Sequence, residues 1–366
     1  MPPRTERLLL GPGPSPVARR VMDAMAAPVL SHLDPEMMAI LDDVRARLGR
    51  VFRAPGGAFS FAVSGTGTSG MEAAIANLTR PGTRAVALVN GYFGERLAQM
   101  LERYGASVRR IEGPWGRAFD ASRLEQASGA VDLVTMVHAE TSTGVLNPVA
   151  DLCGLAARMG AKTIVDCVTS LGAHPIDAAA WGADAIYSCT QKGLGAPSGL
   201  APVMFAPAVM SGLTSGTVDG QSRSFYLDLR LLHDYWVDRK YHHTISAPLV
   251  YAVQEALAAV EEEGLEPRWE RHRANHERLV SALAGIGLEL LPPPGERLWS
   301  LNAVKVPAGV DEAAVRKALL GEDGIEIGAG LGPLAGKIWR IGLMGSGSTE
   351  ENVTRLISAL ARLLRR

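Results

Sequence analysis

Lys192 is the residue of this sequence whose surroundings most favour chemistry. It follows an apolar stretch at 185–189 that predicts a strand, and it precedes a segment at 193–199 rich in glycine and proline. Such a segment suits the wall of a binding site, because glycine and proline interrupt helices and strands. Burial would lower the pKa of a lysine there, and its neutral amine could form a Schiff base with a carbonyl. The alternative is a loop lysine that extends into solvent, as most lysines do.

Asp166 is the second candidate, at the end of a buried strand predicted over 163–165. Ligands of open parallel sheets bind at the carboxyl ends of the strands, so Asp166 and Lys192 could face one crevice. A carboxylate together with a Schiff-base lysine indicates pyridoxal 5′-phosphate, because the carboxylate keeps the pyridine nitrogen protonated. Taken alone, Asp166 fits a capping or loop carboxylate better.

A loop of small residues at 64–70 joins a predicted strand to a helix that we expect to begin at residue 71. Its small residues and the helix N-terminus after it would suit a phosphate. Gly65, Gly67 and Gly70 also match the G-x-G-x-x-G pattern of dinucleotide sites, which requires an acidic residue at the end of the next strand. That strand ends at Asn90, so a nicotinamide-dependent oxidoreductase stays the weaker alternative.

Three further motifs each allow two interpretations. Phe93 could stack on a flat cofactor or simply pack against the sheet. Arg340, inside an apolar strand, could bind a substrate carboxylate or form an internal salt bridge. The adjacent His242 and His243 project in different directions and have no carboxylate or thiol at ligand spacing. We therefore expect the hydroxyl and imidazole groups of 241–244 to donate to a phosphate rather than to bind a metal.

These residues must be positioned by an α/β fold. Apolar strands that alternate with helices from residue 58 to residue 205 predict a mostly parallel sheet covered on both faces. After residue 248 two long helices and three short strands indicate a smaller α+β domain. We therefore divide the chain into an extended arm (1–20), a large cofactor domain (21–247) and a small C-terminal domain (248–366).

The composition excludes several classes of protein. Of 366 residues, 47% are hydrophobic and 20% charged, which is typical of a globular chain. A formal net charge of −1 gives no reason to expect a nucleic acid or an anionic membrane as partner, and no apolar run is long enough to cross a bilayer. Three widely spaced cysteines predict neither a disulfide framework nor a zinc site, and hence a reducing, cytoplasmic location.

The order of these motifs resembles that of the class V, fold type I pyridoxal-phosphate aminotransferases, above all the alanine–glyoxylate and serine–glyoxylate enzymes. The likeness extends from residue 10 to residue 342 and is most specific at 140–145, 166–172, 187–192, 224–228 and 241–244. It implies a seven-stranded sheet, a homodimer with active sites at the interface, and amino transfer from a small amino acid to glyoxylate or a similar 2-oxo acid.

The resemblance also implies a role for each candidate residue. Lys192 would carry the cofactor and move the substrate proton, Asp166 would pair with the pyridine nitrogen, and Arg340 would bind the α-carboxylate. The remaining implied contacts are Thr66, Gly67, Thr68 and Gln191 at the phosphate, Phe93 and Val168 on the two ring faces, Thr141 near the 3′-oxygen, and Tyr241 and Thr244 reaching the phosphate from the partner subunit.

The amino donor stays open between two related groups of enzymes. Ureidoglycine–glyoxylate aminotransferases share several motifs with this sequence, including 34–37 and 326–328. As that family is understood, it marks its substrate with a glutamine where this chain has His32 and an asparagine where it has Tyr241. Both amides are absent, which favours alanine or serine as donor and makes His32 a candidate substrate residue.

Overall fold

The computed structural model describes residues 6–126, 129–214 and 222–365. Its strands are β1 (Leu8–Leu9), β2 (Phe59–Gly65), β3 (Arg84–Val89), β4 (Ser107–Glu112), β5 (Leu133–Val137), β6 (Ala139–Glu140), β7 (Val145–Leu146), β8 (Lys162–Asp166), β9 (Ala185–Tyr187), β10 (Gly199–Phe205), β11 (Leu301–Lys305), β12 (Ile325–Glu326), β13 (Gly328–Ala329) and β14 (Ile338–Gly342). Its helices are α1 (Arg19–Ala24), α2 (Pro35–Val51), α3 (Gly67–Leu78), α4 (Tyr92–Arg103), α5 (Ser122–Glu125), α6 (Val149–Arg158), α7 (Ala178–Trp181), α8 (Pro207–Thr214), α9 (Leu229–Trp236), α10 (Ala247–Glu263), α11 (Leu265–Gly285), α12 (Glu312–Ala318) and α13 (Glu350–Leu364).

The central sheet has seven strands in the order β2-β10-β9-β8-β5-β3-β4. The five strands from β9 to β4 are parallel, whereas β10 runs antiparallel to both of its neighbours. The loop from β9 to β10 is too short for the helical crossover that a parallel connection requires. The α/β fold with a mostly parallel seven-stranded sheet is therefore confirmed, with one reversed strand.

Helices on both faces bury this sheet and fix its loops. β5 and β9 are buried at every residue, and α4 packs Leu97, Ala98 and Leu101 into the same core. Gly94 lets α4 lie close to β3, because a Cβ there would come within 2.7 Å of the Leu88 carbonyl oxygen. The strand ends are thus held in a frame that tolerates little displacement.

A second core lies around the three-stranded antiparallel sheet β11-β14-β13. Most of its buried residues come from α11, α13, β11, β14 and the segments beside them, and Leu10 comes from the N-terminal segment. The buried residues of α10, such as Tyr251 and Leu257, belong to the first core. The predicted division at residue 248 stays a prediction, and the packing of α10 favours a later boundary.

The N-terminal segment connects the two cores. Leu8 and Leu9 form β1 beside β12, Gly342 N–H donates to the Leu10 carbonyl, and Ser15 N–H donates to the Gln191 carbonyl. Residues 1–5 of the predicted arm lie outside the described residues, and α1 begins at Arg19. No helix among the described residues is long and apolar enough to cross a membrane.

Most predicted elements recur with ends shifted by a few residues, but α9 was missed. It begins after Asp228, whose side chain accepts a hydrogen bond from Arg230 N–H. α3 also begins four residues earlier than predicted, because Gly67 and Gly70 of the 64–70 loop belong to its first turn.

Candidate active site

Asp166 lies where the sequence predicts it, at the end of β8. Its neighbour across the sheet is Tyr187, the last residue of β9, whose hydroxyl donates to Asp166 Oδ2 over 2.6 Å. Val168 N–H donates to the other carboxylate oxygen over 2.8 Å. Burial raises the pKa of Asp166 to about 6, against the opposing effect of these two hydrogen bonds. A cation placed against this carboxylate would restore its charged form.

Lys192 is buried, with 8% of its surface exposed. Its Nζ donates to the Pro12 carbonyl over 2.8 Å and to Thr169 Oγ1 over 3.2 Å. Burial lowers the pKa of Lys192, while the charge of Asp166 acts in the opposite direction. The solvent-exposed alternative is therefore wrong, and the amine is held where its neutral form is favoured.

The 64–70 loop bends sharply from β2 into α3. Gly65 has φ +141°, and a Cβ there would lie 2.4 Å from Ser69 Oγ, so only glycine fits. Thr66 occupies the N-cap of α3 without a side-chain capping bond, and Gly67 lies so close to Val168 that a Cβ would come within 3.0 Å of it. The first turn of α3 thus offers free N–H groups and a hydroxyl at the end of the sheet.

A cavity of about 150 Å³ lies between this loop and Asp166. Its walls combine an aromatic ring, a β-branched side chain, a carboxylate and two cations. The lining residues are Thr66, Gly67, Thr68, Met71, Phe93, Arg96, Asp166, Val168, Tyr187, Gln191 and Lys192.

A larger cavity of about 440 Å³ adjoins the first, and Thr66, Phe93, Gln191 and Lys192 line both. Its other lining residues are Pro12, Gly13, Pro14, Thr141, Ser198, Leu331 and Arg340. Arg340 donates from Nε to the Ala329 carbonyl over 2.6 Å, and no described carboxylate lies within 4.0 Å of its guanidinium. Its burial lowers the pKa to about 10, and nearby Glu140 acts against that shift. Arg340 therefore faces the cavity rather than an internal salt bridge.

Phe93 and Thr141 are held by the segment that follows β5. The buried Glu140 accepts hydrogen bonds from Ser142 Oγ over 2.6 Å and from Gly94 N–H over 3.3 Å, which ties this segment to the first turn of α4. Phe93 lies in that turn, and Thr141 Oγ1 shares a short hydrogen bond with Thr169 Oγ1.

Three predicted residues lie away from both cavities in the single chain. His32 and Tyr241 contact each other with ring centroids 5.2 Å apart, and Tyr241 is 63% exposed. Thr244 is exposed as well. The rings of Phe225 and Tyr226 both contact that of His242. We call His32, Phe225, Tyr226, Tyr241 and His242 the exposed aromatic surface, because Phe225, Tyr226 and Tyr241 are exposed.

The donor set of the smaller cavity fits pyridoxal 5′-phosphate. Gln191 Oε1 is buried with no hydrogen-bond partner among the described residues. The side chain of Thr66 makes no capping hydrogen bond to α3. The carboxylate of Asp166 suits a protonated pyridine nitrogen, and Phe93 and Val168 give the same cavity apolar groups that a ring can pack against.

Sequence reasoning missed three contacts in this site. Arg96 lies 5.2 Å from the Phe93 ring centroid and 3.4 Å from Thr68 Oγ1, and its spacing of three residues from Phe93 on one helix face was the available signal. Tyr187 and Thr169 were also missed, since register across a sheet and hydroxyl direction leave no periodic pattern.

Comparison with known proteins agrees with this geometry. Residues 8–356 match the model of the family Aminotransferase class-V. An alanine–glyoxylate aminotransferase of Felis catus is 37% identical over 98% of this chain and 88% of its own length. A solved alanine–glyoxylate aminotransferase of Nostoc sp. is 44% identical with a TM-score of 0.94, covering 100% of this chain and 97% of its own.

The comparison also includes the second group of enzymes. The solved ureidoglycine–glyoxylate aminotransferase of Bacillus subtilis is 35% identical with a TM-score of 0.95, covering 99% of this chain and 94% of its own. The nicotinamide alternative has no such support, and β2 pairs with antiparallel β10 at the sheet edge instead of forming an adjacent parallel pair with β3. The chain therefore belongs to the class-V aminotransferases, enzymes that use pyridoxal 5′-phosphate, as the sequence predicted.

Proposed function

We propose that this enzyme transfers the amino group of a small amino acid, alanine or serine, to glyoxylate. The observation that carries the proposal is the position of Arg340, whose guanidinium lines the same cavity as Lys192 and has no described carboxylate within 4.0 Å. A buried guanidinium without an acidic partner favours a ligand carboxylate, which it can bind through two parallel hydrogen bonds.

Each side chain of the site then has a defined task. Arg340 orients the substrate by its carboxylate, and the amine of Lys192 removes the proton from the substrate Cα and returns a proton later. Asp166 keeps its charge beside a protonated ring nitrogen, with Tyr187 holding the carboxylate in place. When bound, pyridoxal 5′-phosphate supplies an electron sink for the charge that develops at Cα.

The walls of the larger cavity favour small substrates. The rigid rings of Pro12 and Pro14, together with Leu331 and Phe93, line this cavity of about 440 Å³. The relatives of both named groups act on glyoxylate according to their names, which supports this acceptor.

(S)-Ureidoglycine is the second candidate donor, because a ureidoglycine–glyoxylate enzyme is nearly as similar as the alanine–glyoxylate ones. Single half-reactions of the loaded enzyme with alanine, serine, glycine and ureidoglycine, followed by the absorbance of the cofactor, test the choice directly. Alanine or serine should convert the cofactor at least tenfold faster than ureidoglycine. The reverse order would overturn the proposal for the donor but keep the reaction class.

Arg340→Leu is the matched test of the carboxylate site, with Arg19→Leu on the surface as control. The loss of a bidentate charged contact should raise KM for alanine about 10- to 100-fold with a smaller change in kcat. An unchanged KM would exclude Arg340 as the carboxylate ligand.

The exposed aromatic surface supports a homodimer in which Tyr241 and Thr244 reach the partner's cavity. Val29 at 73%, Phe225 at 76% and Tyr241 at 63% exposure leave apolar area that association would bury. Mixing of Lys192→Ala with Tyr241→Ala, at a cofactor concentration too low to load the second variant, tests this. Partial recovery of activity in mixed dimers supports shared sites, and no recovery from mixtures shown to exchange subunits contradicts them.

The cellular location is part of the same proposal. Cys153, Cys167 and Cys189 are all free and buried, which is compatible with the cytoplasmic location expected from the sequence. Fractionation of the source cells with an antibody to the chain would test it, and recovery outside the cytoplasmic fraction would contradict it.

A further inference from the structure

Thr169 links two side chains of the proposed active site, and neither the sequence analysis nor the proposed function gives it a role. It is completely buried, and its hydroxyl contacts Lys192 Nζ on one side and Thr141 Oγ1 on the other. Its backbone carbonyl accepts a hydrogen bond from Ser300 Oγ over 2.8 Å, which fixes Thr169 against the second core.

The chemistry of the three groups sets the direction of these hydrogen bonds. A charged lysine has three donors and no acceptor, so Lys192 must donate to Thr169. The single hydroxyl proton of Thr169 is then free to go to Thr141. Thr141 in turn has its own proton left for an acceptor in the cavity that it lines.

Loss of a proton from Lys192 permits the opposite order. The neutral amine has a lone pair, so Thr169 can donate to Nζ and Thr141 can donate to Thr169. Thr141 then offers only lone pairs to the cavity. Burial lowers the pKa of Lys192, which brings this second state closer to neutral pH.

We propose that Thr169 is a positioning residue that couples the charge of Lys192 to the hydrogen-bonding role of Thr141. With Lys192 charged, Thr141 donates to an anionic oxygen in the cavity; with Lys192 neutral, Thr141 accepts. This rests on the proposed function only in that a bound group meets Thr141 and Lys192 together.

The test measures Lys192 in the full-length chain freed of cofactor. The pH dependence of labelling by dinitrofluorobenzene, quantified at Lys192 by peptide mass spectrometry, gives the pKa of its amine. Thr169→Val removes an acceptor of the ammonium and should lower that pKa by about one unit. Thr169→Ser should restore it, and Thr169→Ala serves as a second variant if the valine does not fold.

Thr135→Val is the matched control, because Thr135 is also fully buried on β5 and its hydroxyl has no partner among the described residues. The pKa of Lys192 in the Thr135→Val variant should equal that in the parent chain. Thr141→Val should shift the pKa of Lys192 in the parent chain. It should leave that pKa unchanged in the Thr169→Val background, because the hydroxyl that links Thr141 to Lys192 is already absent there.

Two outcomes would overturn the inference: a Lys192 pKa that is the same in Thr169→Val and the parent, or a serine variant that fails to restore it. Neither pKa measurement requires a substrate. Absence of amino transfer with every donor would instead refute the proposed function while these pKa values stand.

Discussion

The predicted site residues lie in two regions that differ in almost every physical property. Asp166 and Lys192, at 2% and 8% exposure, lie at the strand ends of a packed sheet. Tyr241, at 63% exposure, lies on the aromatic surface with His32. Asp166 and Lys192 line one cavity within a single chain, whereas His32 and Tyr241 do not line it.

The difference shows which part of the chemistry the fold itself determines. Sheet register fixes Asp166 opposite Tyr187, and the N-terminal segment fixes the Pro12 carbonyl at Lys192. Asp166 and Lys192 are thus placed by contacts within one chain. The contribution proposed for Tyr241 and Thr244 requires a second chain, and the experiments below test that difference from the largest expected effect to the smallest.

Lys192→Ala should reduce amino transfer on the order of a thousandfold or more, because it removes the group that moves the substrate proton. Lys162→Ala, at the opposite end of β8, is the control and should retain activity. Steady-state kinetics with alanine and glyoxylate measure both. Substantial turnover in Lys192→Ala would show that Lys192 does not transfer the substrate proton.

Asp166→Asn should lower kcat about 10- to 100-fold, because a neutral amide no longer stabilises a protonated ring nitrogen. Tyr187 can still donate to the amide oxygen, so the fold should persist. Asp177→Asn keeps the N-cap of α7 and should leave kcat unchanged. Equal kcat in both variants would show that burial of Asp166 serves the fold rather than the reaction.

The sequence predicts the first region well for a physical reason. Asp166 and the 64–70 loop follow apolar runs, and parallel strands bring their carboxyl ends to one edge. Thr169 and Tyr187 could not be predicted, because their roles depend on side-chain direction and strand register. α9 was missed because its short amphipathic run follows a cap, Asp228, that resembles a loop residue. The roles of His32, Tyr241 and Thr244 were implied mainly by family resemblance, and they stay predictions.

His272 should make the stability of the folded chain sensitive to acid. Its Nδ1 lies 2.7 Å from the Arg268 carbonyl and its Nε2 accepts from Gly345 N–H, so a proton on Nε2 would face another donor. Burial lowers the pKa of His272 to about 3, against about 6.5 when unfolded. The unfolded chain therefore binds the extra proton, and the stability present above pH 6.5 is lost as the pH falls toward 3.

Urea unfolding at several pH values measures this loss. Between pH 5.5 and 4 the free energy of unfolding of the parent chain should fall by about 1.4 kcal/mol per pH unit more steeply than that of His272→Gln. If the free energy of unfolding falls equally with pH in both proteins, His272 does not contribute to the loss of stability in acid.

Tyr241→Phe should have the smallest effect, because it removes one hydroxyl and keeps the ring of the aromatic surface. Loss of a single hydrogen bond to the cofactor phosphate should weaken cofactor binding by a few-fold to tenfold, with kcat at saturating cofactor unchanged. Fluorescence titration of the cofactor-free chain measures the affinity, and sedimentation measures whether the proposed dimer forms equally in the parent and the variant. Tyr226→Phe, on the same surface but 42% exposed and outside the predicted contacts, is the control. An equal loss in both variants would assign the effect to the surface as a whole, whereas a loss in Tyr241→Phe that disappears on dilution to monomer would locate the hydroxyl in the partner's site.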